Sequence, residues 1–249
     1  VRRMLLSMRA RIEAMRALAY VTAAAQDNAH AHQDSVAREK ARAFADLLIP
    51  VVKGWSTESA IDIASLGVQV HGGMGYIEET GAAQHLRDAR ITAIYEGTTA
   101  IQANDLIGRK IAREKGATIL AVIADMRAAI AQLDADLAHI GVRQSAAVDA
   151  LERAVFWIVA NFSTDPKAAH AGAVPFLYLF GIVAGGWQMG RAAVIARSKI
   201  AAGETDPFWA AKLATTRFYA DHFLTQASGL AESVVAGAAG ALELADDSF

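Results

Sequence analysis

The segment Ile94-Tyr95-Glu96-Gly97-Thr98 sets a carboxylate on an unusual kind of turn. Ile91, Ala93, Ile94 and Tyr95 make an apolar approach to Glu96. Gly97 permits a sharp bend and leaves space beside the carboxylate, and Thr98 is a good N-cap for the apolar-periodic run Ile101, Leu106, Ile107, Ile111. A glutamate in this position has two readings. Desolvation would raise its pKa and suit it to general-base work, or it would only complement the positive end of the following helix. Upstream, Gln69-Val70-His71-Gly72-Gly73-Met74-Gly75-Tyr76 closes a helical pattern with three glycines in four residues. Such a loop lets backbone N–H groups approach a phosphate or cofactor, and it is equally a helix C-cap with a tight turn. Because a helix precedes it, it is not the strand-linked dinucleotide fingerprint. His71 reads as a cap or packing residue.

The elements that must hold these residues are helical. The chain of 249 residues is 54% hydrophobic and 20% charged, with only four prolines, and alanine dominates its apolar content, so an all-α fold is expected. Met4, Leu5, Met8, Ile12, Met15 and Leu18 mark a first helix over residues 1 to about 25, followed by a polar loop from Gln26 to Asp34. His30 and His32 in that loop lack a third ligand, so no metal is expected. A second helix is expected from Ser35 to Leu48, bent or interrupted at Pro50 and Gly54, and a third from Glu58 to Val70. Beyond the Glu96 turn, helices are expected over Thr98 to Glu114, 119 to 138, Gln144 to Asn161, and Pro207 to Gly240. Phe208, Leu213, Phe218, Phe223 and Leu224 should face the core in the last of these. Arg217, Tyr219, Asp221 and His222 read as a polar outer face.

The order QxxGGxGY, Arg87-Asp88-Ala89-Arg90, Tyr95-Glu96-Gly97-Thr98 and Gln102 resembles the C-terminal signature of acyl-CoA dehydrogenases. The resemblance implies that Glu96 removes the α-proton of an acyl-CoA thioester while a hydride passes from the β-carbon to FAD. It implies that Gly97 lines the thioester site and that Thr98 and Thr99 contact the flavin. Gln69, Val70, His71, Gly72 and Gly73 would touch the ADP half of FAD, usually that of a neighbouring subunit, so a homodimer or homotetramer is implied. Electron-transfer flavoprotein is the implied acceptor. Many family members carry glutamine two residues after the threonine of the EGT motif, where this chain has Ala100, so the resemblance does not extend to that one side-chain contact with FAD and leaves the implied chemistry as it stands. Val1-Arg2-Arg3-Met4 already reads as mid-helix, and a preceding helical domain and β-barrel are expected by the same resemblance.

A domain of residues 1–118 is expected to end near 119, with a second helical unit over 119–249. That addition is similar to the branch typified by 3-methylmercaptopropionyl-CoA dehydrogenase. Ala171 to Gly190 has no charged residue and is long enough for a membrane span, but its proline, glycines and Gln188 favour a buried bundle helix. The same fold class also admits a nucleic-acid-binding relative, yet residues 120–249 hold 9 Lys and Arg against 13 Asp and Glu, which opposes a phosphate-binding surface. An assembly module and an acyl-CoA oxidase are also compatible with these residues. The absence of cysteine fits a reducing cytoplasm.

Overall fold

Two long helices open the chain: α1 (Arg2–Ala31) and α2 (Ser35–Val70). The link His32–Asp34 is so short that they must lie antiparallel. The computed structural model describes residues 1–248; Phe249, the last residue of the expected second unit, lies outside the described residues. α1 runs past the expected loop start because Ala25 and Ala29 stay buried one turn apart. Its buried stripe is made of small residues, Ser7, Ala10, Ala14 and Thr22, together with Leu18. Leu5 and Ile12 are instead exposed. Met8, Ile12 and Met15 line an open apolar groove of about 490 Å³ with Ile63, Ala64 and Gly67 of α2. His30 Nδ1 lies 2.7 Å from the Gln26 carbonyl, and His32 Nδ1 accepts from the Asp34 N–H, so both rings are tied to local backbone.

α2 is capped by Asp34, whose carboxylate accepts from Val36 N at 3.1 Å, and not by Ser35. It continues unbroken through Pro50 and Gly54 to Val70. A helix-interior proline costs about 3 kcal/mol or more. Leu47, Leu48, Val51 and Trp55 are all buried within the same two turns, and each contributes about 1.5–3 kcal/mol. Burial therefore outweighs the lost hydrogen bond, and two expected helices become one.

Short turns lead to α3 (Ala82–Thr92) and α4 (Thr99–Asp105), which widens into a π-helical stretch, Leu106–Ala112. The helix expected from Thr98 to Glu114 thus changes pitch, with Leu106, Ile107 and Ile111 fully buried. α5 (Ala117–Ile130) is shorter than expected, because Asp134 caps a separate turn, and α6 (Ala138–Asn161) starts earlier. Then come α7 (Pro166–Ala171), α8 (Ala173–Ala201), α9 (Pro207–His222), α10 (Ala227–Ala236) and α11 (Ala238–Leu242). Among the described residues there is no strand, and the fold is all-α.

The expected helix from Pro207 to Gly240 keeps its start, where Asp206 accepts from Phe208 N at 2.8 Å, but breaks after His222. There Leu224 turns inward against Gly186, a position where a Cβ would stand 2.6 Å from its Cδ2. Phe208 is exposed and not in the core. Tyr219 reverses its expected place: it is buried and donates to the Ile182 carbonyl at 3.0 Å. Burial pushes its pKa well up, against a smaller downward pull from Arg11.

α8 is the axis of the molecule. By length and composition it qualifies as a span, yet 83% of its most apolar window is buried by other helices. Glycines let them come close: a Cβ on Gly181 would lie 2.2 Å from Trp55 Cγ, and one on Gly190 would lie 2.2 Å from Gln144 Nε2. α1, α2, α4, α5, α6, α9 and α10 all pack on α8. The apolar core runs without a break from Ala10 to Val234, across the region of residue 119. α1 and α9 are also joined by charge. Glu13 takes the Lys212 ammonium at 2.7 Å and the Thr215 hydroxyl at 2.6 Å. Burial pushes the Glu13 carboxyl up, but Lys212, Thr215 and Arg9 together outweigh it and hold it below the usual carboxylate range.

Candidate functional site

α3 ends at Thr92, and the chain turns back to α4 through residues 93–98. Ile94 N and Tyr95 N both bond the Ile91 carbonyl. Glu96 (φ +50°) and Gly97 (φ +93°) then take left-handed conformations in succession, which reverses the chain. A side-chain-bearing residue pays roughly 1–2 kcal/mol there. A Cβ on Gly97 would also meet Gln102 Nε2 at 2.7 Å, though that side-chain end can swing aside, so the left-handed backbone is what calls for glycine. Thr98 caps α4 as expected, its Oγ1 accepting from Ile101 N at 3.3 Å.

Strain alone does not mark function, because Lys115 and Gly116 repeat the same pair of conformations at the start of α5. What sets the Glu96 turn apart is its bracing. Lys53 of α2 donates from one ammonium to the Thr92 carbonyl at 2.9 Å and the Gly97 carbonyl at 2.6 Å, so it clasps both flanks of the turn. Glu58, one and a half turns further along α2, accepts from the Thr99 hydroxyl at 2.5 Å. Thr99 is buried while Thr98 is exposed. Glu96 itself is exposed, bordered by the half-exposed side chains of Ile94, Tyr95 and Ile101. Among the described residues its backbone N–H has no acceptor. Neither Lys53 nor Glu58 was marked by the sequence, since nothing in α2 shows that residues 39 to 44 positions later will fold onto it.

The glycine loop is built differently. His71 Nδ1 lies 2.8 Å from the Gly67 carbonyl, so the ring closes the end of α2. Gly72 is left-handed at φ +61°, and a Cβ on Gly75 would stand 2.2 Å from the Val68 carbonyl oxygen, so both need to be glycine for the turn itself. Gly73 needs to be glycine for neither reason: no atom of the chain lies near its missing Cβ. Gln69, His71, Gly72 and Gly73 are exposed and Val70 half-buried. Arg87 then grips Glu78 through both guanidinium nitrogens, at 2.7 and 3.0 Å, which ties α3 back to the loop.

The two candidate regions are not brought together. Lys53 marks the level of the Glu96 turn on α2 and Val70 the level of the glycine loop. At 1.5 Å per residue they stand about 25 Å apart along the helix.

Two family models divide the chain between them. Residues 1–112 match the acyl-CoA dehydrogenase C-terminal domain, and residues 122–245 match a domain described as acetyl-CoA dehydrogenase C-terminal like. The chain belongs to the acyl-CoA dehydrogenase family. It is 47% identical over 231 residues to the 3-methylmercaptopropionyl-CoA dehydrogenase of Ruegeria pomeroyi, covering 92% of this chain and 39% of that protein. It is 33% identical to a broad-specificity linear acyl-CoA dehydrogenase of Mycobacterium tuberculosis, covering 90% of this chain and 39% of that one. The chain thus spans about two fifths of the length of the relatives it matches. Two solved acyl-CoA dehydrogenase family structures share the fold. Caenorhabditis elegans ACDH-11 in complex with C11-CoA has a TM-score of 0.71 at 19% identity, over 89% of this chain and 36% of that one. An acyl-CoA dehydrogenase from Bacillus anthracis complexed with FAD has a TM-score of 0.68 at 18% identity, over 98% and 42%.

Proposed function

We propose that the protein dehydrogenates an acyl-CoA thioester between its α- and β-carbons, with Glu96 as the base. The observation that carries this reading is the Glu96 turn: a left-handed glutamate, clasped on both flanks by Lys53, with its carboxylate and its own N–H both unspent. The exposed apolar rim of Ile94, Tyr95 and Ile101 fits one wall of a pocket for a flavin ring and a thioester. FAD, when bound, supplies the acceptor for the hydride that leaves the β-carbon. Glu96 takes the α-proton, and its N–H stabilises the negative charge that develops on the thioester oxygen. Gly97 leaves room for the thioester. Thr98 faces the flavin. Thr99 donates its hydroxyl to Glu58, so it meets a ligand only as an acceptor.

The separation of the Glu96 turn from Gln69–Gly73 supports two FAD molecules per pair of subunits, each region serving a different one. The open groove lined by Met8, Ile12, Met15 and Ile63 adds an apolar surface of the kind that association covers. A homodimer or homotetramer, electron-transfer flavoprotein as acceptor, and a cytoplasmic setting complete the reading, with residues 1–118 and 119–249 as its two units. Residues 1–249 by themselves supply one wall only, and neither tight FAD binding nor turnover is expected of them alone.

The test is Glu96→Gln in the FAD-loaded, full-length protein that carries residues 1–249. Rapid mixing with an acyl-CoA should show flavin bleaching slowed by about 10²-fold to 10⁴-fold, with FAD still bound. Bleaching at the parent rate would remove Glu96 from the role of base.

A further inference from the structure

The C-terminal unit reaches the Glu96 turn through one short stretch of α2. Residues 53–58 carry both braces, Lys53 and Glu58, and the same stretch is pressed onto α8. Trp55 is 2% exposed and lies in a slot cut by two glycines. A Cβ on Gly181 would be 2.2 Å from its Cγ, and one on Gly185 would be 2.7 Å from its Cη2. Gly54 is the matching gap on α2. A Cβ there would meet Leu177 of α8 at 2.6 Å and Gln102 of α4 at 3.4 Å, so three helices converge on one glycine. Tyr178, the residue after Leu177, lies beside Glu58. Burial first, and then the negative charges of Glu58 and Asp62, push its pKa well up, so the phenol stays protonated. Glu58 therefore takes the Thr99 hydroxyl at the start of α4, with the protonated phenol of α8 beside it.

We propose that α8 is a positioning element for the Glu96 turn, acting through Tyr178–Glu58–Thr99 and through the seat of Trp55 that aims Lys53. This rests on the reading of Glu96 as the base, and it gives the second unit a part in that chemistry. The physical case is the cost of the turn. A glutamate in a left-handed conformation would relax if its flanks were free. Lys53 holds the carbonyls on both sides, and Glu58 holds the first residue of the helix that follows. Neither brace can be aimed unless α2 keeps its rotation, which the Trp55 slot sets. Glycines also seat Trp55 closely against α8, so a shift of α8 is transmitted to α2.

Two readouts test it, one free of the chemistry. In residues 1–249, amide hydrogen exchange is followed at Thr99, Ile101 and Gln102, whose N–H groups close the turn onto Ala93, Thr98 Oγ1 and the Thr98 carbonyl. Lys53→Met and Tyr178→Phe should each speed exchange at these three amides by about tenfold, the order expected when a charged group loses a polar partner. Amides in α6 should keep their parent rates, and Lys53→Arg, which can still span two carbonyls, should restore protection. In the FAD-loaded, full-length protein that carries residues 1–249, Tyr178→Phe should lower kcat several-fold with KM unchanged. Unchanged exchange at the turn in Tyr178→Phe would overturn the proposal, as would equal acceleration of every amide in the chain, which would make these residues merely structural. Should Lys53→Met fail to fold, the isosteric Tyr178→Phe alone decides. If exchange responds but Glu96→Gln keeps full activity, the positioning stands and the assignment of the base falls.

Discussion

The Glu96 turn and the glycine loop after α2 are both short, glycine-bearing and exposed, yet they are held by opposite means. The loop is made from its neighbours in sequence: His71 to Gly67, Tyr76 to Gly73, Arg87 to Glu78. The Glu96 turn is held from a distance, by Lys53 and Glu58 on α2 and by α8 behind them. A locally made loop keeps its shape wherever the surrounding helices go. A remotely braced turn is as good as the packing of the whole bundle. The difference fits the roles proposed for them: a general base needs placement within fractions of an ångström, and a backbone cradle needs only an open face.

The sharpest contrast is between Glu96→Gln and Gly73→Ala in the same assay. The first should cost about 10²-fold to 10⁴-fold in kcat, the range for a lost general base. The second should leave the chemical step alone and weaken FAD binding only in the assembled oligomer. Equal losses in kcat would erase the distinction.

Next is packing. Gly181→Ala drives a methyl into Trp55 and should destabilise the chain by about 1–3 kcal/mol, as overpacked cores do. Exchange at Thr99 should quicken while the amides of residues 72–76 hold. Gly75→Ala should show the reverse pattern, because its clash is with the Val68 carbonyl, in the last turn of α2 beneath the loop. Thermal melts with residue-resolved exchange would check both.

Acid gives a smaller effect. The folded pKa of Glu13 is depressed below 4.5, so its contribution is fully present above that value and is lost as pH falls through the lower folded pKa. Denaturant titrations of the parent and Glu13→Gln should therefore differ near neutral pH and converge at low pH. The carbonyl partners of Lys53 do not titrate, so that clasp should persist while the α1–α9 link weakens. The smallest effect expected is Gly73→Ala on stability, within about 0.5 kcal/mol, read as an unchanged melting temperature. A large loss would mean that the open space beside Gly73 is needed by the chain itself.

Much of the molecule was legible in sequence. Helical class, the caps at Thr98 and Asp206, and the two candidate regions follow from residue types and spacings a few positions long. The apolar stretch in α8 was readable as a bundle helix because proline and glycine punctuate it. Illegible were features set by partners far away in sequence. Pro50 and Gly54 should stop a helix by propensity, but buried neighbours carry it through. Met8 and Ile12 looked like core, but the stripe of alanines opposite them is what fits closely against the other helices.

At the site, sequence alone determined that a carboxylate stands on a glycine turn before a capped helix, since the turn chemistry is local. Only the tertiary structure decided what holds that turn. Lys53 and Glu58 lie about 40 positions from the residues they brace, on a helix that meets the turn only when the core closes. Helical periodicity reports which face of a helix is apolar. It carries no term for which polar residue on that face will find a carbonyl on another element, because the free energy that aligns them comes from burying Trp55 and its neighbours against α8.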